Sequence, residues 1–139
     1  MNQTVQTNKD SVSVLLIDDS EVDNFINKAI LSKENSISGI TVKSSGFAAL
    51  EYLEGIVEQD NSFPDLIFLD IRMPRMNGFE FLDAYSNFPK KLTTHSKVYI
   101  LSSSLDPLDS EKSKKYAVVK GHLVKPLAHH HVSKLLLEE

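Results

Sequence analysis

The chain reads as an α/β fold: a five-stranded parallel sheet with helices on both faces. Three observations predict it. Short apolar runs of strand length recur along the 139 residues, rich in Val, Ile and Leu. Each is followed by turn or cap residues and a helix, and after all but the fourth run apolar side chains recur at helical spacing. The runs that should lie in the sheet interior are nearly continuous, as strands covered on both faces require.

The elements follow in order. Residues 1 to 11 are polar and are expected to form a flexible tail, with one domain over 12 to 139. "VSVLLIDD" (12 to 19) is a first strand closed by Asp18 and Asp19. Ser20, with Asp23 three residues on, is a capping-box-like helix start. Val22, Phe25, Ile26, Ala29 and Ile30 then recur at helical spacing and mark the expected buried face. "GITVKSS" (39 to 45) is a second strand, whose alternating Ile40 and Val42 suit an edge position. Gly46 opens a helix with Leu50, Leu53 and Val57 on one face, and Leu66 to Leu69 form strand three. A third helix over 78 to 87 presents Phe81, Tyr85 and Phe88, and a polar linker from Pro89 leads to strand four at 97 to 101. Asp106-Pro107 supplies a cap and a first-turn proline for a fourth helix to about Tyr116. Residues 121 to 124 make strand five, and Ala128, Val132, Leu135 and Leu136 line a last helix.

Composition narrows the chemistry. An apolar fraction of 41%, 24% charged residues and a net charge of −4 describe one ordinary globular domain, not a general nucleic-acid binder. The absence of cysteine excludes thiolate metal sites and cysteine nucleophiles. No apolar run suits a signal peptide or membrane insertion, so a cytoplasmic protein is expected. All five glycines are isolated, so neither phosphate-cradling glycine motif is present.

"DLIFLDIRMPRMNGFE" (65 to 80) raises the sharper question, because a core strand ends in a carboxylate. With strand order 2-1-3-4-5, the order reverses between strands one and three, and ligands in such sheets sit beyond the carboxyl ends at that point. Asp18, Asp19 and Asp70 would then meet. Adjacent aspartates after a strand also serve as turn and cap residues, but Asp70 ends a neighbouring core strand. Each carboxylate pair at ~4 Å costs roughly 1 kcal/mol in water, and more in a drier site. A cation resolves that repulsion, and oxygen-only donors favour a hard ion such as Mg²⁺. Ser102 and Ser103 end strand four and Lys125 ends strand five, which places an anion-binding half opposite the carboxylates.

Together "LLIDDSE" (15 to 21), the 65 to 80 segment, "YILSSS" (99 to 104) and "GHLVKPL" (121 to 127) closely resemble the receiver domain of two-component response regulators, a flavodoxin-like, doubly wound fold. The resemblance spans residues 12 to 138. It implies Asp70 as phosphoacceptor from a phosphohistidine on a sensor histidine kinase or histidine phosphotransfer protein. It implies Mg²⁺ (or Mn²⁺) held by Asp18, Asp19, Asp70 and the backbone carbonyl of Arg72, with Asp18 acting through water. Lys125, Ser102 and Ser103 would bind the phosphoryl group, and Ser102 would report it. The Lys125-Pro126 peptide would be cis. The surface of the fourth helix, strand five and the last helix would switch and meet an unknown downstream protein.

Three features depart from the pattern or stand outside it. His122 occupies the position of a switching Tyr or Phe, which suggests a pH-sensitive output near neutrality. Arg72 lies where the family tunes access of hydrolytic water. His129, His130 and His131 point about 100° apart on a helix and cannot converge on one ion. An aspartyl-phosphate phosphatase of the haloacid dehalogenase type would carry a second aspartate at position 72, which is Arg. The alternative of another class is a receiver-shaped interaction module that never takes phosphate.

Overall fold

The computed structural model describes residues 11–59 and 62–137, so nearly all of the expected tail lies outside it. The sheet contains β1 (Val12–Ile17), β2 (Ile37–Lys43), β3 (Leu66–Asp70), β4 (Lys97–Ser102) and β5 (Val119–Val124), all parallel, in the order β2-β1-β3-β4-β5. The helices are α1 (Glu21–Leu31), α2 (Gly46–Ile56), α3 (Gly78–Tyr85), α4 (Lys90–His95), α5 (Pro107–Ser113) and α6 (His129–Leu137).

Alternation along the strands divides the core in two. Leu15, Ile17, Ile67, Leu69, Val98 and Ile100 pack with Leu53, Phe81, Leu82 and Tyr85 on one face. Val14, Leu16, Leu66, Phe68 and Leu101 pack with Leu31, Val132 and Leu135 on the other. Every residue of β3 is buried, whereas β2 and β5 at the edges are largely half-buried or exposed. This double covering explains the unbroken apolar runs of the central strands.

Several local expectations are corrected. The polar linker after Pro89 contains a sixth helix, α4, anchored by buried Leu92. His95 Nε2 reaches Asp65 Oδ1 at 2.7 Å, and Ser96 Oγ donates to the Pro64 carbonyl at 2.6 Å. β2 begins and ends two residues early, because Ser45 is instead the N-cap of α2, accepting from the Ala48 amide at 3.0 Å. β5 starts at Val119, paired with Val98 ahead of a register shift.

The largest correction concerns α1. Val22, Phe25 and Ile26 are exposed, at 67%, 77% and 39%, while Asn24, Asn27 and Leu31 face the sheet. The asparagines answer a polar need at the carboxyl ends of the strands. Asn24 Nδ2 donates to the Asp18 carbonyl at 2.7 Å, and Asn27 Oδ1 accepts from the buried Leu127 amide at 2.8 Å. Without those partners, two backbone groups in the interior would be left unpaired, at a cost of about 1–3 kcal/mol each.

α5 carries little apolar anchoring of its own. Leu108 is 79% exposed, and the buried member of the helix is Ser113. Polar contacts therefore do much of the fastening there.

Candidate functional site

The carboxyl ends of β1, β3, β4 and β5 open onto a crevice of about 230 Å³, lined by Asp18, Asp19, Asp70, Ser102 and Lys125 among others. The topology puts them there: β1 and β3 are neighbours, so their terminal aspartates meet. One carboxylate oxygen from each of Asp18, Asp19 and Asp70 lies within 4.8 Å of the others. Asp18 is fully buried and Asp70 nearly so, while Asp19 is exposed.

Asp70 is placed by rigid backbone. Its strand is buried throughout, and the following loop folds tightly over the strand end: the Gly78 amide donates to the Ile71 carbonyl at 2.9 Å. Asn77 caps α3 in a full capping box, its Oδ1 accepting from the Glu80 amide while Glu80 Oε1 accepts from the Asn77 amide. Arg75 takes up a φ of 67° to complete the turn. A Cβ at position 78 would lie 2.9 Å from both the Asp70 carbonyl oxygen and the Ile71 Cα, so only glycine permits this approach.

The electrostatics follow from burial and crowding. Burial first, and the Asp18 charge second, push the Asp70 carboxyl up from 3.8 to about 6, with Lys125 pulling the other way. Lys125 Nζ is nearly enclosed and donates to Asp18 Oδ2 at 2.9 Å and Asp23 Oδ2 at 2.8 Å, and stands 3.8 Å from Asp70 Oδ1. Burial works against the lysine's charge, but its bonds to Asp23 and Asp18 outweigh that, and the net shift is upward. The Lys125–Pro126 peptide is cis, as the resemblance implies.

The serines stand at the same mouth. Ser102 is buried and donates its hydroxyl to the Ser104 carbonyl at 2.7 Å, while Ser103 is exposed on the rim. Arg72 fixes its backbone beside the acceptor, its amide donating to Asp70 Oδ1 at 3.3 Å. Its side chain pairs with Asp109 at 2.6 Å and Asp106 at 3.4 Å, both of which line the same crevice.

His122 lies apart, on the middle of β5, half-buried. Ser113 Oγ donates to the Ser110 carbonyl at 2.8 Å, so it accepts from His122 Nε2 at 2.9 Å. Burial lowers the His122 pKa against the opposing pull of Asp109. Its charge change therefore falls on the acid side of the ordinary histidine range. Of the three consecutive histidines, His129 pairs with Glu34 at 2.9 Å, and the His130 and His131 rings pack on each other. Among the described residues, the aspartate trio is the one group with metal-ligand spacing.

Sequence reasoning missed Asp23, Asn24 and the Asp106–Asp109 pair. Asp23 serves twice: its amide bonds the Ser20 cap at 3.1 Å, and its carboxylate goes to Lys125.

The model of the response regulator receiver domain matches residues 14–136. The chain belongs to the response regulator receiver family. A two-component response regulator from Cytophaga hutchinsonii has the same fold at a TM-score of 0.85 with 34% identity, covering 94% of this chain and 99% of that one. One from Legionella pneumophila gives a TM-score of 0.77 at 31% identity, covering 91% and 96%. A protein-glutamate methylesterase/protein-glutamine glutaminase of Rhodopseudomonas palustris is 34% identical over 103 residues, 74% of this chain and 25% of its own length. The receiver domain thus spans about a quarter of the length of that curated relative. No helix among the described residues is long and apolar enough to cross a membrane.

Proposed function

We propose that this receiver domain takes a phosphoryl group onto Asp70 from a phosphohistidine on a sensor histidine kinase or histidine phosphotransfer protein. The observation that carries the reading is a nearly buried Asp70 with two further carboxylates within 4.8 Å and the Lys125 ammonium at 3.8 Å. An Asp70 oxygen forms the new P–O bond as the P–N bond breaks, and the electron pair returns to the imidazole ring. Such a transfer depends on alignment and charge neutralisation, with little covalent help from the protein.

The donor set fits a hard divalent cation. It is all oxygen and partly buried, and burial, with the Asp18 charge second, pushes the Asp70 carboxyl up to about 6. Asp19 and Asp70, the Arg72 backbone carbonyl and, through water, Asp18 would hold Mg²⁺, with Mn²⁺ as a substitute. When bound, the metal supplies charge that lets a carboxylate and a phosphoryl group come together. Lys125 does the same from the opposite wall, Ser102 and Ser103 receive the remaining phosphoryl oxygens, and the depth of the crevice limits water. The domain is a phosphoacceptor that promotes its own phosphotransfer and dephosphorylation, not an enzyme acting on a separate substrate. It works in the cytoplasm and signals by protein contact, without binding nucleic acid or inserting into a membrane. The surface that changes is the one formed by α5, β5 and α6, with His122 at its centre.

The exposed stripe of Val22, Phe25 and Ile26 stands on α1, the helix that also delivers Asp23 to Lys125. An apolar patch beside an acceptor crevice suits a protein donor. Phe25→Asp should therefore lower the rate of transfer from a phosphohistidine protein by roughly ten-fold or more, while uptake from acetyl phosphate stays unchanged. The two rates measured side by side check this.

The function as a whole is tested by incubating the domain with acetyl phosphate and following intact mass. One added phosphoryl group is expected with Mg²⁺ and none after chelation. Absence of uptake with a protein donor as well would favour the phosphate-independent interaction module.

A further inference from the structure

Two cations line the crevice, and carboxylates occupy both. Lys125 is taken by Asp18 and Asp23. Arg72 is taken by Asp109, in the first turn of α5, and by Asp106, the N-cap of that helix. The two situations differ in what they restrain. Lys125 is nearly enclosed, whereas the Arg72 side chain is 66% exposed on a backbone fixed beside Asp70. Arg72 can therefore turn between Asp109 and Asp70 without moving its main chain.

α5 is unusually open to such a link. Its apolar Leu108 points to solvent, and its contacts are polar or ionic: Arg72 at its first turn, the Ser113–His122 bond at its last, and Lys112 over the Phe79 ring at 4.6 Å.

From this arrangement we infer that Asp109, assisted by Asp106, is a positioning residue that withholds Arg72 from Asp70, and that phosphorylation draws Arg72 off α5. This deepens the reading of Asp70 as phosphoacceptor and rests on it. A phosphoryl group brings a charge of about −1.5 to −2 and oxygens suited to a guanidinium fork. It competes directly with the two aspartates for the same Nη2. Coupling of this kind is reciprocal: whatever releases Arg72 from Asp109 must also strengthen the phosphoryl site by the same factor.

Beryllofluoride with Mg²⁺, a mimic of the aspartyl phosphate, provides the probe, and its binding is followed by fluorine NMR. Four proteins are compared: wild type, Asp109→Asn, Arg72→Ala and the double variant. The freed exposed ion pair should make Asp109→Asn bind about two- to five-fold more tightly than wild type. Arg72→Ala should bind more weakly, and in its background Asp109→Asn should have no further effect. A fifth protein, Asp109→Glu, should bind as wild type does. Equal tightening by Asp109→Asn with and without Arg72 would overturn the inference, since it would show only the removal of a nearby negative charge. No change in either background would overturn it too. Failure of all four proteins to bind the mimic would instead remove the phosphoacceptor reading, and this inference with it.

Discussion

Asp70→Asn is expected to abolish phosphoryl uptake from acetyl phosphate and, at the same time, to make the metal-free domain more stable at neutral pH. The loss follows because an amide cannot supply the attacking oxygen anion. The gain follows from the crowding in the crevice. Burial and Asp18 raise the Asp70 pKa to about 6 from 3.8. A carboxyl group raised in this direction favours the fold while protonated, below about pH 4, and loses that contribution as pH rises through about 6. Above that window the wild type carries an ionised group in a site that resists it, and the asparagine does not. A stabilisation of about 2 kcal/mol is expected near neutrality, from about 1.4 kcal/mol per pKa unit with some relaxation of the crevice. It should shrink towards zero near pH 4. Urea denaturation of both proteins across that range, without metal, measures it. A variant less stable than wild type at neutral pH would mean that Lys125 already neutralises the site.

The second large effect is expected at Gly78. An added methyl group would meet the Asp70 carbonyl oxygen and the Ile71 Cα at 2.9 Å, and neither backbone atom can move without shifting the end of β3. Gly78→Ala should therefore cost roughly 2–4 kcal/mol of stability. It should also slow phosphoryl uptake, because a misplacement of the acceptor on the order of 1 Å costs about a hundred-fold in rate. Gly46 provides the contrast. A Cβ there would meet the Met76 Sδ at 2.6 Å, which is the far end of a flexible side chain. Thermal melts of the Gly78→Ala and Gly46→Ala variants, with uptake rates alongside, separate the two cases.

Much of the architecture is legible in the residues because it depends on burial alone. The apolar run before Asp70 predicts a fully covered strand, and β3 is buried at all five positions. The meeting of Asp18, Asp19 and Asp70 follows from strand order, since residues ending neighbouring strands must be close. Where the reading failed, polar contacts had displaced the usual burial pattern. The apolar periodicity of α1 points to Val22, Phe25 and Ile26, yet the sheet side is taken by Asn24 and Asn27, whose amides pair with loop backbone. In α4, six residues with one buried leucine are too few to show a helical period. For Asp23 and Asp109, a carboxylate in a first helical turn looks like a favourable charge near the helix N-terminus. Only the folded arrangement shows the cation that each one holds.

The central claim, that Asp70 accepts the phosphoryl group, is tested most directly by locating the modification. The domain is incubated with acetyl phosphate and Mg²⁺, trapped by borohydride reduction and mapped by tandem mass spectrometry. A single Mg²⁺-dependent modification at Asp70, missing from Asp70→Asn, is the predicted result. Modification at another residue, or uptake that persists in the variant, would contradict it.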